Sequence, residues 1–138
     1  MSAPPQPPQP PLQVTCGLIR RGELVLVARR ADNRLWELPG GKQRPGEDLR
    51  DCLVRELAEE LGVTVRVRAR LAVVRQAAPE RPIDLHCFTC ELVAGEPRPL
   101  EHLELSWVTP AQMLELDLCP LDRQLARQML ALSPAPAA

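Results

Sequence analysis

The chain has 138 residues, 17 Lys+Arg against 18 Asp+Glu for a formal net charge of −1, and a 45% hydrophobic fraction with no Tyr, one Phe and two Trp. This length suits one compact domain, whose core must be built mainly from Leu, Val and Ala. The near balance of charge leaves no global field to recruit nucleic acid or an anionic membrane, and no apolar run approaches the roughly 20 residues that span a bilayer.

In chain order, residues 1–11 (MSAPPQPPQPP) cannot bury apolar surface and predict a disordered or polyproline II arm. They lack the basic-then-apolar pattern of a secretory signal. "LQVTCGLIR" (12–20) and "ELVLVARR" (23–30) are β-rich runs separated by Arg21-Gly22, a hairpin signal. Trp36 to Leu38 reads as a short extended piece, and Pro39-Gly40-Gly41 as a turn. Leu49, Leu53, Leu57 and Leu61 recur every four residues as a helix seam that Gly62 ends.

Next, "VTVRVRARLAVVRQ" (63–76) alternates Val63, Val65, Val67, Ala69 and Leu71 with Arg66, Arg68 and Arg70. This predicts a half-buried strand with a solvated arginine face. "PIDLHCFTCELV" (82–93) predicts its partner, and "LSWV" (105–108) a shorter strand. Thr109-Pro110 caps a short helix through Leu116, and residues 120–132 form a last helix with Leu121, Leu125, Met129 and Leu132 inward. Residues 133–138 (SPAPAA) read as a disordered tail, so the folded domain is 12–132. Interleaved strands and helices predict an α/β fold, a mixed sheet covered by helices on both faces.

Five cysteines without framework spacing indicate reduced thiols and a cytoplasmic setting. Cys87 and Cys90 form an isolated C-x-x-C beside His86 and lack a second ligand pair for zinc. On a strand they face opposite sides, so they read as structural residues.

The chemistry gathers in "RELAEELG" (55–62). With Leu49 at zero and about 100° per residue, Leu53 and Leu57 fall near 40° and 80°, Glu60 near 20°, Glu56 near 340° and Glu59 near 280°. Glu60 therefore lies inside the apolar arc and Glu56 at its border. Two carboxylates 5 Å apart repel by roughly 3 kcal/mol at an effective dielectric near 20, so such a cluster calls for cations. Arg55, on another side of the helix, is expected to neutralise at most one. Mg²⁺ or Mn²⁺ prefers this kind of oxygen set. In the preceding loop Gly40-Gly41 permits close backbone approach, Lys42 can reach phosphate, and Glu47 can meet Arg55 along the helix.

Gly41, five residues, Glu47, seven residues and Arg55-Glu56-Leu57-Ala58-Glu59-Glu60-Leu61-Gly62-Val63 together make a complete Nudix box. With the flank "WELPGGK" (36–42) and the segment 94–110, residues 12–132 resemble the MutT-like branch of the Nudix hydrolases. The resemblance implies a Nudix α/β/α sandwich with a mixed central sheet, and hydrolysis of a nucleoside diphosphate linked to another moiety with Mg²⁺ or Mn²⁺. By residue-wise transfer, Glu56, Glu60 and the Gly41 carbonyl are metal ligands. Glu59 is a second-metal ligand or general base, and Arg55 with Glu47 orients the helix. Glu101 and Glu104 are alternatives for an extra carboxylate at the metals, with Glu101 the better aligned. Asp122 matches the base-reading position, Leu38 an apolar wall, and Arg30 and Arg81 phosphate or base contacts.

The reading that follows is pyrophosphohydrolysis of a nucleoside triphosphate to monophosphate and pyrophosphate, a nucleotide-pool sanitising activity. Its candidate substrates are 8-oxo-dGTP-like or CTP/dCTP-like. Alternatives are an ADP-ribose or other nucleoside-diphosphate-X pyrophosphatase, for which Pro79 is an ambiguous marker, a non-catalytic nucleotide-binding module, and pyrophosphate removal from RNA 5′ ends. A monomer or homodimer is expected, with no membrane and no stable nucleic-acid partner.

Overall fold

Gly22 takes a left-handed φ of 61° and closes the hairpin between β1 (Leu12–Arg21) and β2 (Leu24–Arg29), as the Arg21-Gly22 signal predicts. This computed structural model describes residues 9–77 and 81–132. The expectations for residues 1–8, Pro79 and the tail 133–138 therefore lie outside the described residues, as does the side chain of Leu132. After β2 come β3 (Trp36–Glu37), β4 (Gly40–Lys42), α1 (Leu49–Leu61), β5 (Thr64–Gln76), β6 (Ile83–Ala94), β7 (Glu104–Val108), α2 (Pro110–Glu115) and α3 (Pro120–Leu132).

The sheet runs β3-β2-β1-β6-β5, with β4 against β1 and β7 against β2. β1 and β6 are parallel and the other pairs antiparallel, which makes the sheet mixed. One face packs on α1 through Leu53, Leu57 and Leu61 against Ile19, Leu26 and Phe88. The other packs on α2 and α3 through Met113, Leu125 and Met129 against Leu18, Val27 and Leu85. Leu53, Leu57 and Leu61 are fully buried, each contributing about 1.5–3 kcal/mol of apolar transfer. Cys87 and Cys90 do face opposite sides, one in each core layer, and all five cysteines are free thiols. The layered α/β/α arrangement is the one expected from the sequence.

Local chemistry sets the helix ends. Asp48 caps α1 by accepting from the Arg50 and Asp51 backbone N–H groups, and Gly62 ends it at φ 70°. Thr109 and Gln112 form a reciprocal capping box at α2, with Pro110 at its start. Among the described residues, no helix is long and apolar enough to cross a membrane.

Two elements depart from the sequence reading. Pro39-Gly40-Gly41, expected as a turn, instead leads into strand β4 at Gly40–Lys42, paired with Val14 to Cys16 of β1. Gly40 permits this because a Cβ there would strike the Thr15 carbonyl. In β5, register shifts between Val67 and Arg70 and between Arg70 and Ala72 break the alternation. Val63 and Val65 serve the α1 layer, whereas Leu71, Ala72 and Val74 serve the α3 layer and Ala69 is exposed.

Candidate active site

Glu60 sits on the inner face of α1 and is only 7% exposed, as its place within the leucine arc requires. Its Oε2 is buried without a hydrogen-bond partner. Burial pushes its carboxyl up to about 9, helped by the charges of Glu37, Glu56 and Glu101 and opposed by the Gly40 backbone N–H. Glu56 lies one turn earlier, half-buried, and Glu59 points outward with its side chain 44% exposed.

Arg55 does more than neutralise one carboxylate. It donates to Glu47 through Nε (2.8 Å) and Nη2 (2.9 Å), and through Nη1 to Glu56 at 2.8 Å and Glu59 at 3.4 Å. Nη2 also reaches the Lys42 carbonyl at 3.2 Å. The expected pairing with Glu47 is present, whereas the expectation that Arg55 neutralises at most one of Glu56, Glu59 and Glu60 fails, because a planar guanidinium presents five donors that fan toward several neighbours. The Arg55 guanidinium holds the Glu47 carboxyl down at about 2. The Arg44 guanidinium stands 3.7 Å from Glu59.

Gly41 approaches Glu56 so closely that a Cβ would overlap its carboxylate. The Gly41 carbonyl accepts from Thr15 Oγ1 at 3.2 Å and faces the Cys52 thiol at 3.7 Å. The close approach to Glu56 thus runs through the Gly41 Cα.

A cleft of about 450 Å³ opens beside this cluster. Leu38, Lys42, Arg30 and Asp122 line it, with apolar walls from Leu12, Val14, Ile83, Leu85 and Leu121. Asp122, 6% exposed at the start of α3, accepts the Leu38 backbone N–H at 2.8 Å. Burial raises its carboxyl to about 7 against the pull of that hydrogen bond. Arg30 is tied to Asp32 at 2.6 and 2.9 Å and to Glu37 at 3.1 Å. Arg81 donates to the Pro10 carbonyl at 2.8 Å.

A second cavity of about 230 Å³ shares Arg30 and Glu37 with the cleft and adds Glu60, Glu101 and His102. Glu101 thus stands on the Glu60 side, whereas Glu104 pairs with Arg29 at 3.1 Å. Glu37, Glu60 and His102 bring ligand atoms within 4.8 Å of one another, as do Glu37, Cys119 and Asp122. The first group fits a divalent cation: it offers hard oxygen donors, an imidazole, and a buried oxygen that no other group among the described residues satisfies. Glu37, His102 and Cys119 were not singled out from the sequence. Glu37 lies in the "WELPGGK" flank, the one signal that could have found it, and His102 lies in a loop without periodicity.

The family model for the NUDIX domain matches residues 10–129. A Mycobacterium tuberculosis protein provisionally named 8-oxo-dGTP diphosphatase 2 is 42% identical over 118 residues, 80% of this chain and 82% of its own. The Escherichia coli CTP pyrophosphohydrolase is 34% identical over 128 residues, 90% of this chain and 95% of its own. The solution structure of the E. coli ORF135 protein superposes with a TM-score of 0.82 at 33% identity, covering 94% of this chain and 96% of that one.

Proposed function

This chain belongs to the Nudix hydrolase family, and from that premise we propose that it is a MutT-like nucleoside triphosphate pyrophosphohydrolase. It cleaves the α–β phosphoanhydride with a divalent cation, Mg²⁺ or Mn²⁺, and releases a monophosphate and pyrophosphate. The observation that carries this reading is the buried Glu60 carboxyl, one oxygen of which has no partner among the described residues, set among Glu37, Glu56 and Glu101 beside a cleft of nucleotide scale.

Each side chain has a task. Glu56 and Glu60, with Glu101, would hold the cation. When bound, a divalent cation neutralises polyphosphate charge and acidifies water. Glu59, outward and solvated, accepts the proton from the attacking water. Arg55 fastens α1 to the loop that carries Glu47, which keeps Glu56 in place. Lys42 and Arg30 at the cleft wall meet phosphate oxygens.

Leu38 and its aliphatic neighbours enclose the base, and Asp122 reads its edge. The names of the two relatives, an 8-oxo-dGTP diphosphatase and a CTP pyrophosphohydrolase, support 8-oxo-dGTP-like and CTP-like nucleotides as the first candidates, with dCTP beside CTP. Removal of pyrophosphate from RNA ends has less support. Of the basic row, Arg66 and Arg68 are both drawn to Glu91, at 3.7 and 2.6 Å, which cuts the charge available to a polynucleotide.

The test is a turnover screen over unmodified and oxidised nucleoside triphosphates, ADP-ribose and triphosphorylated RNA, with Mg²⁺ and with EDTA. The expected result is EDTA-sensitive pyrophosphate release from a nucleoside triphosphate. Equal rates with EDTA, or turnover of ADP-ribose alone, would overturn the reading.

A further inference from the structure

Glu37 on β3, Glu60 in the last turn of α1 and His102 in the loop between β6 and β7 come from three separate parts of the chain, yet they converge on one point. His102 is almost wholly enclosed, its side chain 5% exposed. Its Nε2 lies 2.9 Å from Glu37 Oε2, and its Nδ1 is buried without a partner. Glu60 Oε2 is the other unpartnered buried atom of the group. Glu60 and His102, the residues that carry these two orphaned atoms, both line the same 230 Å³ cavity, and the imidazole presents its Nε2 edge to Glu37. Burying the Glu60 oxygen unsatisfied is unfavourable unless something that accepts a lone pair completes the arrangement.

We propose that Glu37, Glu60 and His102 form a site for a divalent first-row transition metal, Mn²⁺, Co²⁺ or Zn²⁺, whose imidazole donor sets it apart from the oxygen-only position at Glu56. Mg²⁺ favours oxygen donors and gives up its waters reluctantly, whereas imidazole suits the transition metals. Arg30 balances the charge of Glu37 from one side at 3.1 Å, Glu101 lines the cavity as a further carboxylate, and the cavity has room for water. The Arg30–Glu37 pair is also common to the nucleotide cleft. An ion held there stands at the junction of base pocket and hydrolytic centre. The inference deepens the proposed function, because Glu60 belongs to both donor sets.

Metal binding to the intact, metal-stripped protein tests this without activity. Co²⁺ is titrated with visible absorption and proton NMR detection of shifted exchangeable imidazole protons, and Mg²⁺ is titrated by calorimetry. The chain has two histidines, and His86 is engaged elsewhere with Gln13 at 2.6 Å, so an imidazole signal has one candidate source near the glutamates. Wild type is expected to show the imidazole-ligated Co²⁺ spectrum. His102→Ala and Glu37→Gln should lose that signature and at least about tenfold in Co²⁺ affinity while changing Mg²⁺ affinity by less than about twofold. His102→Gln, which keeps a donor for Glu37, guards against misfolding and should behave like His102→Ala.

Unchanged Co²⁺ spectra in these variants overturn the proposal. So do equal losses of Mg²⁺ and Co²⁺, which would make His102 a positioning residue. Wild type that binds Mg²⁺ but shows no imidazole-ligated Co²⁺ sinks this inference alone, whereas wild type that binds neither ion sinks the proposed function as well.

Discussion

Arg55 and Glu47 are joined at two points, Nε to Oε2 at 2.8 Å and Nη2 to Oε1 at 2.9 Å, so the loop after β4 and the middle of α1 are pinned together. The same guanidinium reaches Glu56, which means that one residue positions both the loop and a proposed ligand. Arg55→Lys keeps a charge but cannot fork. We expect it to lower kcat on the order of a hundredfold while changing KM little, because misplacement of about 1 Å costs that much. Steady-state kinetics with the best substrate from the screen checks this; an unchanged kcat would remove Arg55 from the positioning role.

The same pair has a pH signature. The Glu47 carboxyl is held at about 2 against an ordinary 4.5, so the folded state binds its proton less readily than the unfolded chain. Its contribution is fully present above about 4.5 and disappears as pH falls through about 2. Thermal unfolding of wild type and Glu47→Gln should therefore show the wild type ahead at pH 6 and the gap narrowing below pH 4.5. A gap that stays constant to pH 3 would contradict the ion pair.

Asp122 predicts the opposite slope. Burial lifts its carboxyl from 3.8 to about 7, so the folded state holds the proton more tightly, and stability falls as pH rises from about 4 through 7. Asp122→Asn keeps an oxygen for the Leu38 N–H and removes the charge. Calorimetry should find it more stable than wild type at pH 8, the advantage vanishing below pH 4. KM for the substrate should follow the same ionisation in wild type and lose that dependence in the variant, because the protonated carboxyl donates to the base edge and the ionised one accepts.

Gly40 and Gly41 are neighbours with different obligations. A methyl at Gly40 strikes the Thr15 backbone, which cannot yield without unpairing β4 from β1, so Gly40→Ala should fail to fold. A methyl at Gly41 first meets the Glu56 carboxylate, the far end of a side chain. Gly41→Ala should keep its circular dichroism and melting profile yet lose at least about tenfold in turnover as Glu56 is pushed aside. Two variants with the same outcome would refute this division.

Much of this was legible in the chain because short-range rules decided it. The leucine repeat, Gly62 and the Thr109-Pro110 cap set α1 and α2, and the angular position of Glu60 foretold its burial. What escaped depended on long-range packing. The bulges in β5 arise from pairing with β6, and no local signal marks the residue where the alternation changes face. β4 forms because Gly40 lies against β1, a contact far away in sequence. Glu37 and His102 meet only because β3 and the β6–β7 loop converge on Glu60, and neither shows a periodicity that announces the meeting.

Glu60 also implies a conflict between stability and activity. A buried carboxylate with an unpartnered oxygen and acidic neighbours disfavours the metal-free fold, and a bound cation relieves it. Mg²⁺ at about a hundred times its Kd should then stabilise wild type by roughly 2.7 kcal/mol through linkage. Glu60→Gln removes the ionisable group, whose proton the folded state must take up, and keeps the shape. In EDTA it should melt above wild type, gain nothing from Mg²⁺, and turn over substrate at least about a thousandfold more slowly, as expected when a principal source of transition-state charge stabilisation is lost. A variant that still melts higher on adding Mg²⁺, or one that is less stable than wild type in EDTA, would show that Glu60 is held by interactions other than a cation.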